Sequence, residues 1–203
     1  MKLTAGFRAL SALELLLGAS IVIGHNVFCV VPNEVPILFG LGLLSFRPRN
    51  GGWSAMGLPR PASWIRIVQI AGAAAVLRIA VGEFIVDPLT GRFWPPAAEA
   101  AEAEAITGNI GLALLGLLLV WTFAAFGEEI AYRGYLLARA ADLGGGSTLA
   151  LWGAMVLASI LFGCGHYYKG PSGVVDSGVA GLILAHGFID TFAVTVTYLG
   201  WRW

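Results

Sequence analysis

Charge is scarce in this chain, and that scarcity decides the medium in which it works. Of 203 residues only 12% are Asp, Glu, Lys or Arg, where an ordinary soluble domain has about a quarter. Hydrophobic residues supply 58% and mean hydropathy is +0.80, so there are too few charged side chains to cover a water-facing surface. Neither sign is in excess: twelve Lys and Arg balance twelve Asp and Glu, which removes the electrostatic grounds for a nucleic-acid partner. Cysteine is nearly absent. Cys29 and Cys164 both lie in apolar runs, which excludes a disulfide framework and leaves each thiol to pack as a small hydrophobe. Histidine is limited to three residues, and no His-Glu-x-x-His metal motif occurs. No small-residue cleavage site follows the first apolar run, so the start, with Lys2 and Arg8, reads as the flank of a spanning helix rather than as a removed signal.

What the chain does have is a series of apolar runs, at residues 10–31, 35–46, 64–86, 106–127, 149–168 and 174–199. Most approach the ~20 residues that a helix needs to cross the ~30 Å hydrocarbon core, whereas 35–46 reaches only about 18 Å and needs help from its flanks. Pro32-Asn33-Glu34 turns the chain after the first run, and Asp87-Pro88 ends the third. Stretches 47–63, basic and rich in Gly and Pro, and 92–105, with Arg92 against Glu99, Glu102 and Glu104, read as exposed loops. Trp53 and Trp64 suit the headgroup level, Ser147 suits an N-cap, and Gly111, Gly116, Gly178 and Gly181 suit close helix packing. Gly127 allows a bend, after which 128–141 is expected to re-enter the bilayer as a short tilted helix. That crossing collects Lys2, Arg8, Arg47, Arg49, Arg60, Arg66 and Lys169 on one side, which the positive-inside rule makes cytoplasmic, and Arg92, Arg139 and Arg202 on the other. The expected fold is all-α: a polytopic transmembrane helix bundle of about six to seven membrane segments, some short or broken, in a single integral membrane domain over residues 1–203.

Into this apolar background the chain sets Glu128 and Glu129, directly after an uncharged run from Ile106 to Gly127. A charge at bilayer depth costs roughly 2.5–3.5 kcal/mol on insertion scales, so carboxylates kept there point to chemistry or to a partner. Glu129 and Arg133 are four residues apart and can pair along a helix, which leaves Glu128 for general-base work. Phe162 and His166 share that spacing, an aromatic ring one turn behind an imidazole, and His186 and Asp190 repeat it. Two histidines and a carboxylate around a second carboxylate suit activation of a water and stabilisation of an oxyanion. They equally suit a divalent metal such as zinc, with Glu128, His166 and His186 as its ligands. Each group also has a plain structural role open to it: Glu128 and Glu129 as a solvated helix end, His166 as an interfacial residue beside Tyr167, Tyr168 and Lys169, and His186 with Asp190 as a polar pair between helices. His25, Glu14, Arg78 and Glu83 read as structural. Arg78 and Glu83, five apart, do not share a helical face, so each snorkels or finds another helix.

These three spacings, in this order, resemble a known family. Glu128-Glu129-Ile130-Ala131-Tyr132-Arg133 is similar to the EExxxR motif, Phe162-Gly163-Cys164-Gly165-His166 to the FxxxH motif, and His186-Gly187-Phe188-Ile189-Asp190 to the HxxxN/D motif of the CPBP family. That family comprises the CAAX-prenyl proteases and bacteriocin-processing enzymes, intramembrane endopeptidases also called abortive-infection proteins, and includes the Ras-converting enzyme. The resemblance covers a catalytic core at about 106–199. It implies hydrolysis of a peptide bond in a membrane-associated peptide or protein. Glu128 and His166 would activate the water, His186 and a protonated Asp190 would hold the oxyanion, and Glu129, Arg133 and Phe162 would support the site. The expected setting is a multi-pass protein of a prokaryotic cell membrane, its partners a peptide or protein substrate and the lipid bilayer; the positive-inside grouping puts the site toward the cytoplasmic side, and the charge balance gives no ground for nucleic acid. The chain departs from the family pattern in one place: only nineteen residues, Tyr167 to Ala185, separate the two histidines, where a further membrane segment is usual.

Two other classes use the same pocket. One is a catalytically inactive membrane adaptor or immunity protein that binds a partner there; the other is a small proton-coupled transporter, since intramembrane Glu, His and Asp also mark proton relays. A cellular phenotype that survives Glu128→Ala and His166→Ala singles out the first, and gradient-driven uptake in proteoliposomes the second.

Overall fold

The computed structural model describes residues 4–49, 63–94, 106–145 and 147–181. Residues 50–62 and 95–105, with Trp53, and everything from residue 182 on, with His186 and Asp190, lie outside the described residues. All regular structure among the described residues is helical. Helix α1 (Ala5–Asn26) begins where the Thr4 hydroxyl accepts from the Phe7 amide. Helix α2 (Glu34–Arg49) follows the expected turn, in which Asn33 Oδ1 accepts from the Val35 amide at 2.9 Å. Helix α3 (Trp64–Thr90) runs on past Asp87-Pro88, its expected end. Its turn at Gly82–Val86 is wide, the Asp87 amide bonding the Gly82 carbonyl five residues back, and Pro88 opens the next turn, where its missing amide matters least. Helix α4 (Ile110–Leu143) comes next. Helix α5 (Thr148–Cys164) is capped by Ser147 as expected, and a tight turn at Tyr167–Lys169 leads into α6 (Gly170–Gly181) with a bend of 58°.

Helices α1, α3 and α4 are long and apolar enough to cross a membrane, and α5 with α6 makes a fourth span if the bent pair counts as one. The described residues thus hold three or four spans of the six to seven expected; residues 182–199 of the last expected span lie outside them, and two differences within the described residues are physical. Helix α2 has only 16 residues, about 24 Å of rise, and residues 110–143 form one helix instead of two. Large apolar side chains lie outside and some charges lie inside: Leu149, Phe84 and Ile65 are largely exposed while Glu34, Arg78 and Arg139 are buried, Arg139 with no exposure at all. Lipid, unlike water, makes that inversion stable.

The expected break at Gly127 does not occur. Gly127 is buried, and a Cβ there would sit 2.8 Å from Val35 Cγ1, so the glycine serves a close approach of α2 to α4 rather than a bend. Helix α4 instead continues to Leu143, where Gly145, at φ +68°, turns the chain into α5 as the second arm of a hairpin. Among the packing glycines, Gly178 meets Gly163 and Gly181 meets Ser159 across the α5–α6 contact, whereas Gly111 meets only Asn109 of its own turn. Cys164 is half-buried at the end of α5; Cys29 is exposed in the turn after α1, not packed in an apolar segment.

Without a hydrophobic force between helices in lipid, polar links and tight packing carry the assembly. Val22, Leu38, Phe46, Ile130, Tyr135 and Leu136 form the apolar centre where α1 and α2 meet α4. Beside it Arg139 bonds Asp142 at 2.8 Å and Glu14 at 3.2 Å, with its guanidinium 4.3 Å from the Phe46 ring centroid. Ser11 donates to Asp142 at 2.8 Å and Ser45 to Glu14 at 2.5 Å, so three helices are tied at one end. Arg78 finds its partner on another helix, as its position required: it forks onto Asp176 of α6.

This arrangement regroups the basic residues. Arg139 bonds Glu14 near the start of α1, and Arg8 lies against Gly145, so Arg139 shares an end with Arg8 and Arg47 instead of facing them from the opposite side. Lys169 follows α5 to the other end of the hairpin. The expected grouping assumed a second crossing after Gly127, and the unbroken α4 removes it.

Candidate functional site

Two consequences of the hairpin build the site. The first is level. Glu128 stands fifteen residues before Leu143, the end of α4, and Gly163 stands fifteen after Thr148, the start of α5. An antiparallel pair of arms therefore brings the Glu-Glu stretch beside the Phe-to-His stretch with no re-entrant segment. The second is face. In an ordinary helix Glu128 and Arg133 would point about 140° apart. The middle of α4, Val120–Leu136, is wound more widely, and the Leu137 amide bonds the Tyr132 carbonyl five residues back. At the wider winding of about 4.4 residues per turn, Glu128, Tyr132, Arg133 and Leu137 fall within roughly 80° of one another.

Those four side chains face Leu151, Met155, Ala158, Ser159 and Phe162 of α5 around a cavity of about 270 Å³, with Gly181 at the end of α6 completing the wall. The expected Glu129–Arg133 pair forms along the helix. Arg133 also donates to the Gly181 carbonyl at 3.3 and 3.4 Å, and its guanidinium carbon lies 5.8 Å from the Phe162 ring centroid. One cation thus balances the carboxylate beside it and fixes the end of α6.

Phe162 is the hinge between the cavity and the histidine. Tyr132 meets its ring edge-on at 5.2 Å, and the His166 ring lies 4.6 Å away on another side. His166 Nδ1 is 2.9 Å from the Phe162 carbonyl oxygen. A carbonyl only accepts, so Nδ1 carries the hydrogen and a neutral ring presents its lone pair at Nε2, the form a general base requires. Glu128, Arg133 and Phe162 come together as the sequence predicts, with Glu129 paired alongside. His166 stands behind Phe162 rather than on the cavity wall itself. His186 and Asp190 lie outside the described residues. Gly181, five residues before His186, is on the cavity wall. Among the described residues no three His, Cys, Asp or Glu side chains converge as a metal centre needs; the zinc ligand set of Glu128, His166 and His186 includes one residue beyond them.

Sequence reasoning passed over Tyr132 and Ser159. Tyr132 sits inside the Glu-to-Arg stretch, and the signal for it was a hydroxyl in an apolar run with a face that only the wider winding turns toward the cavity. Ser159 follows from the hairpin register alone, opposite Tyr132.

No curated protein and no solved structure matches the chain. A family model does match, that of type II CAAX prenyl endopeptidase Rce1-like, over residues 110–199. That stretch holds both arms that line the cavity. Over residues 110–199, a little under half of its length, the chain is similar to the Rce1-like family of type II CAAX prenyl endopeptidases.

Proposed function

We propose that this protein hydrolyses a peptide bond of a membrane-associated peptide or protein within the lipid layer. Water bound at the cavity gives a proton to Glu128 as its oxygen attacks the scissile carbonyl carbon, with His166, which lies behind the Phe162 ring, as the second base once that ring turns aside on substrate entry. The carbonyl electrons move onto oxygen, where His186 and a protonated Asp190 donate to the oxyanion. When the oxygen re-forms its double bond, the C–N bond breaks and the proton held by Glu128 passes to the leaving amine. Arg133 neutralises Glu129 and keeps the wall of the cavity in place.

The observation that carries this reading is the position of Glu128: a carboxylate on a long apolar helix, opening onto a cavity whose opposite wall is Leu151, Met155, Ala158 and Phe162. Apolar walls admit an apolar peptide side chain and exclude bulk water, so the carboxylate acts in surroundings where proton transfer is not short-circuited by solvent. The substrate is a peptide or protein at the bilayer, and no step is assigned to a metal.

The test is incubation of the purified full-length protein in nanodiscs with a peptide library that includes farnesylated CAAX-type members, products being read by mass spectrometry, with and without a strong chelator. The reading expects new carboxyl termini from wild-type protein. Products that vanish with chelator and return with zinc would replace the metal-free step with a zinc-bound water. A library left intact under both conditions overturns the reading.

A further inference from the structure

The Rce1-like match begins at residue 110, yet a chain of polar contacts runs into the site from helices that precede it. His25 ends α1 and Glu34 begins α2, the two ends of a short connection. Their helix dipoles favour a positive charge at the first and a negative one at the second. His25 Nδ1 is 2.9 Å from the Val31 carbonyl oxygen and must donate to it. Its other nitrogen, Nε2, faces Glu34 Oε2 at 3.3 Å. The second oxygen of Glu34, a residue only 6% exposed, accepts from the Tyr132 hydroxyl at 3.1 Å.

That hydroxyl ends beneath the Phe-to-His stretch of α5. A Cβ on Gly165 would lie 2.5 Å from Tyr132 Oη and 3.4 Å from its Cζ. The residue next to His166 is thus one that leaves room for the hydroxyl, while the Tyr132 ring edge sets the Phe162 ring against which the imidazole packs at a tilt of 54°. Resting on the endopeptidase reading, we infer that Tyr132 is a positioning residue for His166, held in place by Glu34 and His25 from the part of the chain that precedes the family match. Tyr132 touches no reacting atom in this role; it fixes the ring on which the base leans. A buried hydrogen bond to a carboxylate holds a side chain more firmly than a neutral one, and loss of such supporting partners costs roughly 10- to 100-fold in activity.

The experiment uses full-length protein in nanodiscs with a fluorogenic farnesylated CAAX peptide and its unprenylated copy. Tyr132→Phe and Glu34→Gln should each lower kcat roughly 10- to 100-fold with KM unchanged, and the double variant should fall no further than the weaker single variant. Gly165→Ala should do the same by displacing the hydroxyl, and adding Tyr132→Phe should lower kcat no further, because the hydroxyl that the new methyl displaces is then gone. Independently of activity, the fluorine NMR signal of a fluorotyrosine at position 132 and the imidazole signals of His166 should both move on Glu34→Gln. Full kcat in either single variant, a double variant that multiplies the two losses, or signals that do not move would overturn the inference. Wild-type protein that cleaves neither peptide sinks the endopeptidase reading for these probes, and the two NMR signals then decide the positioning link by themselves.

Discussion

Gly163 offers the sharpest test of how the site is assembled. It lies on α5 against α6, and a methyl group placed on it would fall 2.5 Å from the Val174 carbonyl oxygen and 3.3 Å from the amide nitrogen and Cα of Gly178. These are backbone atoms and cannot rotate aside. Ordinary contact begins at 3.4 Å, so α6 has to retreat by about 0.9 Å in Gly163→Ala. Overpacking of this kind costs typically ~1–3 kcal/mol, and at this chain length each kcal/mol is worth about 2–4 °C of Tm, which gives a fall of roughly 2–12 °C. Because α6 carries Gly181, whose carbonyl accepts from Arg133, the same retreat should loosen the cavity and lower cleavage. Gly153→Ala is the control: it lies on the same helix with nothing within 4 Å of where its methyl group would stand, and it should lose no stability. Thermal unfolding in nanodiscs, followed by tryptophan fluorescence, measures both. A Gly163→Ala protein that unfolds with the wild type would refute the packing argument.

Three further outcomes follow from the same contacts. Arg139→Met removes the buried cation between Glu14 and Asp142 and should destabilise the fold by about 3–5 kcal/mol, read as a large loss of folded yield; adding Glu14→Gln should recover part of it. Asp176→Asn weakens the fork from Arg78 to α6, and since Asp176 is 30% exposed at its side chain the loss should stay below the ~3 kcal/mol that marks a fully buried pair. Native Cys29, exposed in the turn after α1, and the cysteine of a Cys29→Ser, Arg8→Cys protein should react with a membrane-impermeant maleimide from opposite faces of sealed vesicles; labelling from one face would contradict α1 as a spanning helix.

Local features of this chain were legible in its sequence and long-range ones were not. The Glu129–Arg133 pair, the Phe162–His166 contact and the Ser147 cap each depend on residues three or four apart, and helical spacing alone predicts them. The turn at Pro32-Asn33-Glu34 was legible for the same reason. The continuity of α4 through Gly127 was not, because a glycine in an apolar run permits a bend as readily as a close contact, and only Val35 decides between them. Nor does composition reveal the wide winding of Val120–Leu136, since a bond to the fifth residue back leaves no mark on hydrophobic spacing. That winding is what turns Arg133 and Tyr132 toward the cavity with Glu128. His25 and Glu34 read as a structural histidine and a turn residue; their link to Tyr132 spans 98 positions for the carboxylate and exists only once α2 lies against α4.

The account depends most on Glu128 as the base that takes the proton from water. The direct measurement is kcat of Glu128→Gln against wild type on the same cleaved peptide, in nanodiscs, at equal folded yield and equal Tm. Loss of general-base catalysis should lower kcat roughly 100-fold or more, with peptide binding retained. A Glu128→Gln protein that turns over at the wild-type rate would contradict the account.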